Sequence, residues 1–310
     1  MSEPWLTVIV PCYNEERAVA GELGRLRQVL AGQGPCEIVV VDDGSTDATA
    51  ARLDEASAAE RELAVAGGAS GGAVEARAST PVQVVRHAQN RGYGAALKTG
   101  LRHARGGWIL IVDADGSYPL EAIPELVSAL SEADMVVGAR TKAEVVYPHS
   151  RRAAKWFLRF ALHWFVGRRV EDMNSGMRIF RKDLALRYWK FFPDGFSFTT
   201  TLTLIALVNG FSVRYVPIEY RERVGKSKIR PVRDTLGFLQ LIVRTGFYFE
   251  PLRVFLPVIG VVGAATVAAL AWDVAVLGNL TDKTVILLLF TLNITLLALL
   301  ADMVDKRSNR

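Results

Sequence analysis

The chain has 310 residues and a formal net charge of +5, and half of its residues are apolar. This length allows one large domain or two ordinary ones. The modest charge, without a dense basic patch, excludes the nucleic-acid-binding class and fits an anionic membrane surface or substrate better. Cys12 and Cys36 are the only cysteines, and we predict packing roles for them without a disulfide.

Short β-branched runs alternate with helical or loop-length segments in the first part of the chain. The runs occupy residues 6–10, 37–41, 82–85 and 108–112. After the first run, Val19, Leu23, Leu26 and Leu30 have helical spacing, and residues 46–60 predict a second helix. This alternation predicts an α/β fold with a mostly parallel sheet, in which ligands bind at the carboxyl ends of the strands.

Three segments differ in composition from the predicted sheet. Residues 64–80 are rich in Gly, Ala and Ser, which predicts a flexible surface insertion. Residues 149–169 place basic side chains opposite aromatic ones on a helical wheel. This pattern favours a helix in a membrane interface, and a helix packed on the sheet is the alternative. Residues 231–250 predict a second interfacial helix.

Two apolar stretches follow the predicted domain of residues 1–230, within residues 251–310. They occupy residues 254–276 and 285–301, close to the about 20 residues that cross a bilayer. They predict a transmembrane hairpin, although Asp273 and Asn293 leave open two buried helices of a soluble core. Asn293 would also allow a homo-oligomer through the hairpin.

Charge around the hairpin predicts its orientation. Arg244 and Arg253 precede the first span, and Lys306, Arg307 and Arg310 follow the second. Both ends therefore satisfy the positive-inside bias, and the start of the chain lacks the pattern of a signal peptide. We expect a multi-pass protein of the cell (inner) membrane, with the catalytic domain and both termini in the cytoplasm.

The tripeptide Asp113-Ala114-Asp115 follows an apolar run that predicts a strand. Two carboxylates on alternate residues at a strand end can face one hard divalent cation, which takes oxygen ligands and can also bind a diphosphate. A DxD sequence alone is a weak indication, because acidic pairs in turns are usually solvated. Its position after a strand, together with the motifs that accompany it, predicts that Asp113 and Asp115 bind a divalent cation.

Further motifs accompany the DxD and read PCYNEE, VDDGSTD, NRGYGAALKTG and DMNSGMRIF. Together with VDADGSYP, they resemble glycosyltransferase family 2 over about residues 5–230. The resemblance implies a GT-A fold, a UDP- or GDP-hexose donor and Mg²⁺ or Mn²⁺ on the DxD. It also implies donor contacts by motif residues: Pro11, Tyr13, Glu15, Asp43, Asn90, Asp113, Ala114 and Asp115.

A basic segment from Tyr220 to Arg230 reads YRERVGKSKIR. It resembles the acceptor loop of dolichyl-phosphate mannose synthases and bacterial polyprenyl-phosphate glucosyltransferases, which implies a polyprenyl phosphate acceptor and membrane contact. The resemblance implies these phosphate-facing residues: Arg140, Arg152, Arg221, Lys226, Ser227 and Lys228. A juxtamembrane stretch that only touches lipid headgroups is the alternative.

The implied reaction is a single displacement that inverts the anomeric carbon, with a lipid phosphate oxygen as nucleophile. A phosphate monoester has its second pKa at about 6, so it is largely ionised at neutral pH and needs no strong base. Asp172, in DMNSG, matches the family position of acceptor-side catalysis, which implies an orienting or assisting role. With Asp115 on the leaving diphosphate, it completes our candidate catalytic pair.

Two departures from the family pattern stand out. Members often read DADLQ where residues 113–117 read DADGS, and often carry Glu in the helix after a GFSF-like turn, where residues 196–204 read FSFTTTLTL. Two other functions stay open. A processive polysaccharide synthase would carry QxxRW, whereas Gln240 and Arg244 have the wrong spacing and no Trp. A non-catalytic membrane scaffold would show no sugar transfer.

Overall fold

The structure is a computed structural model that describes residues 3–58, 80–140, 164, 170–195, 197–219, 240 and 244–308. It divides into two compact units, residues 1–146 with 170–229 and residues 147–169 with 230–310. The predicted insertion at 64–80, except Thr80, and the predicted helix at 149–169, except Trp164, lie outside the described residues. Much of the second predicted interfacial helix, at residues 231–239 and 241–243, also lies outside them.

Among the described residues of the first unit, seven strands form one sheet. They are β1 Leu6–Cys12, β2 Cys36–Asp42, β3 Val82–Arg86, β4 Trp108–Ile111, β5 Met135–Ala139, β6 Arg178–Arg181 and β7 Val213–Pro217. Their order is β3-β2-β1-β4-β6-β5-β7. Only the two pairings of β6, with β4 and β5, are antiparallel among the strand pairs of the described residues. The mostly parallel sheet confirms the predicted α/β class.

Helices cover both faces of this sheet. They are α1 Val19–Leu30, α2 at residues 49–58, α3 Tyr93–His103, α4 Ile123–Ser128, α5 Lys182–Arg187 and α6 Phe198–Val208. Short 3₁₀ turns occupy Leu120–Ala122, Ala129–Glu132 and Trp189–Phe191. The second helix begins at residue 49 instead of the predicted 46, because the backbone N–H of Thr46 is hydrogen-bonded to the side chain of Asn14 in the preceding loop.

The core explains why these strands read as continuous apolar runs. All seven residues of β1 and all seven of β2 are buried, as expected for strands covered on both faces. On one face, the apolar side of α1 packs against β1, β2 and β4. On the other, α3 approaches β1 so closely that a Cβ at Gly100 would overlap Ile9 Cγ2. Glycine is therefore required at this contact.

The second unit contains a helical hairpin. Helix α7 covers residues 244–249, α8 spans Pro251–Trp272, a π-helical turn covers Asp273–Leu277, and α9 spans Asp282–Ser308. Asp273 Oδ2 accepts hydrogen bonds from Thr281 N and Thr281 Oγ1, both at 2.7 Å, and Thr266 Oγ1 lies 2.8 Å from Thr291 Oγ1. Asp273 thus lies in the connection between the helices, where its polar partners account for a charged residue.

Two segments of the hairpin, Pro251–Leu277 and Asp282–Val304, are long and apolar enough to cross a membrane. Few of their side chains are buried, and Val261 and Leu292 are 73% and 65% exposed. Helices in the core of a soluble protein would be mostly buried, so this exposure favours the predicted association with a membrane.

Candidate active site

The loops after β1 and β2 are joined by side-chain hydrogen bonds at the carboxyl edge of the sheet. Asn14 adopts a left-handed conformation with φ of 57°, which its short polar side chain tolerates. Its backbone N–H donates to Ser45 Oγ at 3.0 Å, and its Oδ1 accepts from Thr46 N at 2.8 Å. Glu15 N donates to Thr49 Oγ1 at 2.8 Å. The PCYNEE and VDDGSTD motifs therefore form one hydrogen-bonded unit.

Asp43 connects this unit to the loop after β3. Its side chain is buried, with the residue only 3% exposed, and its carboxylate accepts hydrogen bonds from Arg91 N at 2.9 Å and Gly92 N at 2.8 Å. Asp43 Oδ1 also lies 2.6 Å from His87 Nδ1, and His87 Nε2 lies 2.9 Å from Thr99 Oγ1. These contacts give Asp43 a structural role in holding the loop that precedes α3, and its predicted contact with the nucleoside stays a prediction.

This geometry makes Asp43→Asn a test of the structural role. The amide would present N–H₂ to a backbone N–H or to His87, so we expect the free energy of unfolding to fall by about 2 kcal/mol. Asp54, an exposed residue paired with Arg86 at 2.6 Å, offers a matched control, because Asp54→Asn should change stability by no more than about 0.5 kcal/mol. Equal denaturation midpoints for the two variants would contradict the role of Asp43.

The remaining predicted donor residues lie on the same edge. Pro11 is buried at the end of β1, Tyr13 is half-buried directly after it, and Asn90 is exposed in the loop before α3. Parallel strands end at one edge of a sheet, and ligands of open α/β sheets bind in the crevice outside that edge. The structure thus brings these motifs together, and their contacts with a nucleotide remain predictions.

The DxD follows β4, with Ala114 buried between its two carboxylates. Asp115 is 4% exposed, and its Oδ1 accepts hydrogen bonds from Ser117 N at 3.0 Å and Ser117 Oγ at 2.5 Å. Asp113 is half-buried, and its Oδ1 accepts from Tyr93 Oη at 2.9 Å. Burial, followed by the charge of Asp113, raises the pKa of Tyr93 well above its usual value. Tyr93 is therefore a neutral donor that orients Asp113.

Two carboxylates fit the predicted divalent metal. Among the described residues there is no group of three or more His, Cys, Asp or Glu side chains that could hold a metal. Mg²⁺, however, is usually bound by one or two carboxylates together with substrate phosphates and water. The oxygen donors of Asp113 and Asp115 match this chemistry. Ser117 stands where family members often carry the glutamine of DADLQ, and its hydroxyl orients Asp115.

The loop of residues 172–177 lies directly against the DxD. A Cβ at Gly176 would be 2.6 Å from Asp113 Oδ2, so only glycine allows this approach. Gly176 N also donates to Tyr118 Oη at 2.6 Å. Because Tyr118 follows the DxD by three residues, this bond ties the two loops together.

A buried arginine holds the loop of residues 172–177 in place. Arg178 is 0% exposed. Its Nε donates to Ser175 O at 3.0 Å, and its Nη2 donates to Met173 O at 3.2 Å. Its Nη1 donates to Thr199 O at 2.7 Å and to Thr203 Oγ1 at 2.6 Å on α6. Burial lowers the pKa of Arg178, but a guanidinium stays protonated in proteins. The threonine-rich sequence of α6, noted above as a departure, supplies part of this anchor.

Asp172 and Arg140 form a bidentate ion pair. Arg140 Nε donates to Asp172 Oδ2 at 2.8 Å, and Arg140 Nη2 donates to Oδ1 at 2.9 Å. Burial favours a higher pKa for Asp172, but the hydrogen bonds and charge of Arg140 outweigh it, so the pKa is lowered. The pair therefore stabilises the fold above about pH 4, the unfolded pKa, and is lost as pH falls through the lower folded pKa. At neutral pH, Asp172 is an ionised group suited to orientation.

Five predicted acceptor residues lie outside the described residues. They are Arg152, Arg221, Lys226, Ser227 and Lys228. Of the predicted acceptor side, the structure therefore shows Arg140 and Asp172 only. Conversely, sequence reasoning assigned no role to Tyr93, Ser117, Gly176 or Arg178. The Asp-x-Ser spacing of residues 115–117 could have predicted a side-chain turn, whereas nothing in the sequence indicates that Arg178 is buried.

An α/β sheet with acidic loops at the carboxyl ends of its parallel strands is typical of domains that bind nucleotides. The profile of the family "Glycosyl transferase family 2" matches residues 7–189, more than half of the chain. The chain therefore belongs to glycosyltransferase family 2. This membership confirms the resemblance drawn from the motifs and defines the protein as a glycosyltransferase.

Relatives and solved structures agree with this membership. The chain is 31% identical to the polyprenol monophosphomannose synthase of Mycolicibacterium smegmatis, over 72% of this chain and 80% of that protein. It is 27% identical to the low-salt glycan biosynthesis hexosyltransferase Agl6 of Haloferax volcanii, over 87% of this chain but only 60% of that protein. A crystal structure of glucosyl-3-phosphoglycerate synthase from Mycobacterium tuberculosis, with Mn²⁺, UDP and phosphoglyceric acid, matches with a TM-score of 0.52 and 20% identity. It covers 79% of this chain and 78% of that chain, and shows the shared GT-A fold.

Proposed function

We propose that this protein transfers a hexose from a UDP- or GDP-linked donor to a polyprenyl phosphate, giving a lipid-phosphate-linked sugar. The observation that carries the proposal is the contact of the loop 172–177 with the DxD, where Asp113 lies against Gly176. This contact sets the predicted donor carboxylates beside the loop that carries Asp172, the ion-pair partner of Arg140. Adjacent donor and acceptor sites are what direct transfer requires. The names of the mannose synthase and hexosyltransferase relatives support the acceptor and the sugar class.

In this proposal the two anionic substrates are held by different residues. Asp113 and Asp115 would hold Mg²⁺ or Mn²⁺, which when bound offsets the charge that builds on the departing diphosphate. Tyr93 and Ser117 keep the two carboxylates oriented through their hydrogen bonds. A lipid phosphate is largely ionised at neutral pH, since its second pKa is about 6. Because the pKa of Asp172 is lowered, Asp172 orients Arg140 and the acceptor and does not serve as a strong base.

Attack by the phosphate oxygen from the side opposite the diphosphate inverts the configuration of the anomeric carbon. We place this reaction at the cytoplasmic face of the cell membrane, with both termini in the cytoplasm. The two long apolar helices and the positive-inside pattern support this location. Asn293 donates to Leu289 O of its own helix at 2.9 Å, so a homo-oligomer through the hairpin stays a prediction.

A transfer assay tests the proposed function. Purified full-length protein in detergent is incubated with labelled UDP- or GDP-hexoses, polyprenyl phosphate and Mg²⁺ or Mn²⁺, and label is counted in the organic phase. We expect one donor to give metal-dependent label, an inverted anomeric configuration by NMR, and no label when polyprenol without phosphate replaces the acceptor. Label that appears only on a glycan would favour a polysaccharide synthase, and no transfer or hydrolysis with any donor would favour a scaffold.

The basic segment from Arg221 to Lys228 provides a separate prediction about the acceptor. It closely follows Val213–Pro217 and precedes the predicted interfacial helix. A phosphate carrying a charge of about −1.5 to −2 would be held there by charge-assisted hydrogen bonds. We expect Arg221→Ala to raise the KM for polyprenyl phosphate about tenfold, with unchanged affinity for the nucleotide sugar by calorimetry. Lost nucleotide affinity with normal lipid dependence would assign this segment to the donor.

A further inference from the structure

Tyr215 in β7 carries a hydroxyl whose environment is unusual. The hydroxyl oxygen is buried, and it has no hydrogen-bond partner among the described residues, although the residue as a whole is only half-buried. Buried polar groups in folded proteins are almost always paired, so each exception needs an explanation. A hydroxyl that binds substrate is one such exception, because its hydrogen-bond partner belongs to the substrate and not to the protein.

The register of the sheet shows where this side chain points. Four residues lie opposite one another in a row across neighbouring strands. The row runs from Ile111 in β4 to Arg178 in β6, Val137 in β5 and Tyr215 in β7. Residues directly opposite each other on neighbouring strands project to the same face of a sheet. Tyr215 therefore projects to the face on which Arg178 contacts the loop 172–177 and α6.

The charges around Tyr215 define what it can bind. Burial raises the pKa of Tyr215 to about 12; Arg178 opposes this rise, and Glu171 and Asp172 add to it. The hydroxyl is therefore protonated at neutral pH and available as a donor. Three charged groups, Asp172 in the loop beside the DxD among them, are close enough to act on its ionisation. The register of the sheet agrees with this influence, because it puts Tyr215 on the face where Arg178 holds the loop that carries Asp172.

Arg178 indicates which kind of hydrogen-bond acceptor the Tyr215 hydroxyl can bind. Its guanidinium donates to backbone carbonyls and to a threonine hydroxyl, and within the described ranges no carboxylate lies at ion-pair distance from it. The face shared by Arg178 and Tyr215 therefore carries buried positive charge that favours an anion over a neutral sugar hydroxyl. Asp172 is already engaged by Arg140.

We propose that Tyr215 Oη binds substrate, by donating a hydrogen bond to a phosphate oxygen of the polyprenyl phosphate acceptor. The proposal rests on the proposed function, which supplies the acceptor. A phosphate oxygen could also come from the donor diphosphate. The acceptor is the better match, because Tyr215 shares its face of the sheet with Arg178, which holds the loop of the predicted acceptor-side residue Asp172.

Tyr215→Phe removes the hydroxyl and keeps the ring. We expect the KM for polyprenyl phosphate to rise about tenfold, because a hydrogen bond to a charged group is lost. A short-chain polyprenyl phosphate should also bind more weakly in calorimetry without donor. Nucleotide-sugar affinity should not change. The melting temperature should stay equal or rise, because an unpartnered buried hydroxyl has been removed. Tyr188→Phe, in the same unit, is the control and should leave both KM values unchanged.

The possible outcomes separate this assignment from the proposed function. Wild-type kinetics and lipid binding in Tyr215→Phe would refute the substrate contact while leaving the function intact. A loss confined to nucleotide-sugar affinity would move the contact to the donor phosphate and overturn the assignment. A lower melting temperature with unchanged KM would show a structural role only. If the wild-type protein neither binds nor glycosylates polyprenyl phosphate, the proposed function fails first and this assignment fails with it.

Discussion

We expect Asp115→Asn to lower the rate of sugar transfer by about a thousandfold or more, because the amide keeps the shape of the side chain but removes the charge that the metal needs. The fold should survive, since the amide oxygen of the introduced asparagine can still accept the hydrogen bonds that Ser117 now donates to Asp115. The measurement is the initial rate of label transfer at saturating donor and acceptor, over a titration of Mg²⁺ and Mn²⁺. Removing metal from the wild type with a chelator should cause a loss of the same order.

Asp54→Asn is the matched control for this experiment. Asp54 is exposed in α2, and its ion pair with Arg86 is a surface contact of small energetic value. The control should therefore transfer sugar at the wild-type rate and keep the wild-type response to metal. Full activity of Asp115→Asn, or undiminished wild-type transfer in chelator, would remove the DxD from the proposed metal site.

Gly176→Ala is expected to lower the turnover number by about a hundredfold, the usual scale for a misplacement of about 1 Å in a catalytic site. The added methyl would start 2.6 Å from Asp113 Oδ2, so either the loop 172–177 or the carboxylate has to move. Both carry groups of the proposed site, and movement of either separates donor and acceptor sides. Steady-state kinetics with both substrates, together with a melting curve, measure the effect.

Gly107→Ala adds the same methyl group where a Cβ would meet no atom within 4 Å. It should have wild-type kinetics, and this comparison isolates the contact with Asp113 from the general effect of replacing glycine. A Gly176→Ala variant with the turnover number of the control would show that the contact between the two loops does not matter for transfer. If the melting curve of Gly176→Ala shows a lowered melting temperature, the kinetics of both variants are measured well below it, so that the comparison is made on folded protein.

The sequence by itself was sufficient for elements whose cause is local. Residues 6–10 and 37–41 are apolar and β-branched, so they predict buried strands wherever they lie, and both are found within β1 and β2. The spacing of Val19, Leu23, Leu26 and Leu30 gives a helix an apolar side, and these four are the buried residues of α1. Two stretches of apolar residues likewise predicted the hairpin helices. Periodicity and length determine such elements before any tertiary contact forms.

From the sequence, the members of the site could be predicted only where they directly follow strands that end at the same edge of the sheet. The DxD and the motifs after β1 and β2 meet at one edge because parallel strands end there. Only the tertiary structure decided which polar side chains of the site are engaged in hydrogen bonds or ion pairs with other parts of the protein. Asp43 holds a loop 48 residues away at Arg91, and Arg140 engages Asp172 across 32 residues. Neither partner is indicated by local spacing, because these pairings depend on which loops the sheet order makes neighbours.

The antiparallel strand β6 is the clearest case of a feature that only the tertiary structure decided. Its four residues, Arg178–Arg181, are too short and too charged to predict a central strand. Between β4 and β5, however, its backbone completes two ladders, and this placement buries Arg178 among carbonyl oxygens of the loop 172–177 and α6. The sequence determined that an arginine is available at this position. The burial of Arg178 and its hydrogen bonds to carbonyl oxygens depend on segments that are distant in the sequence packing together, because a buried guanidinium must find hydrogen-bond acceptors. Its place in the same cross-strand row as Tyr215 depends on the register of the assembled sheet.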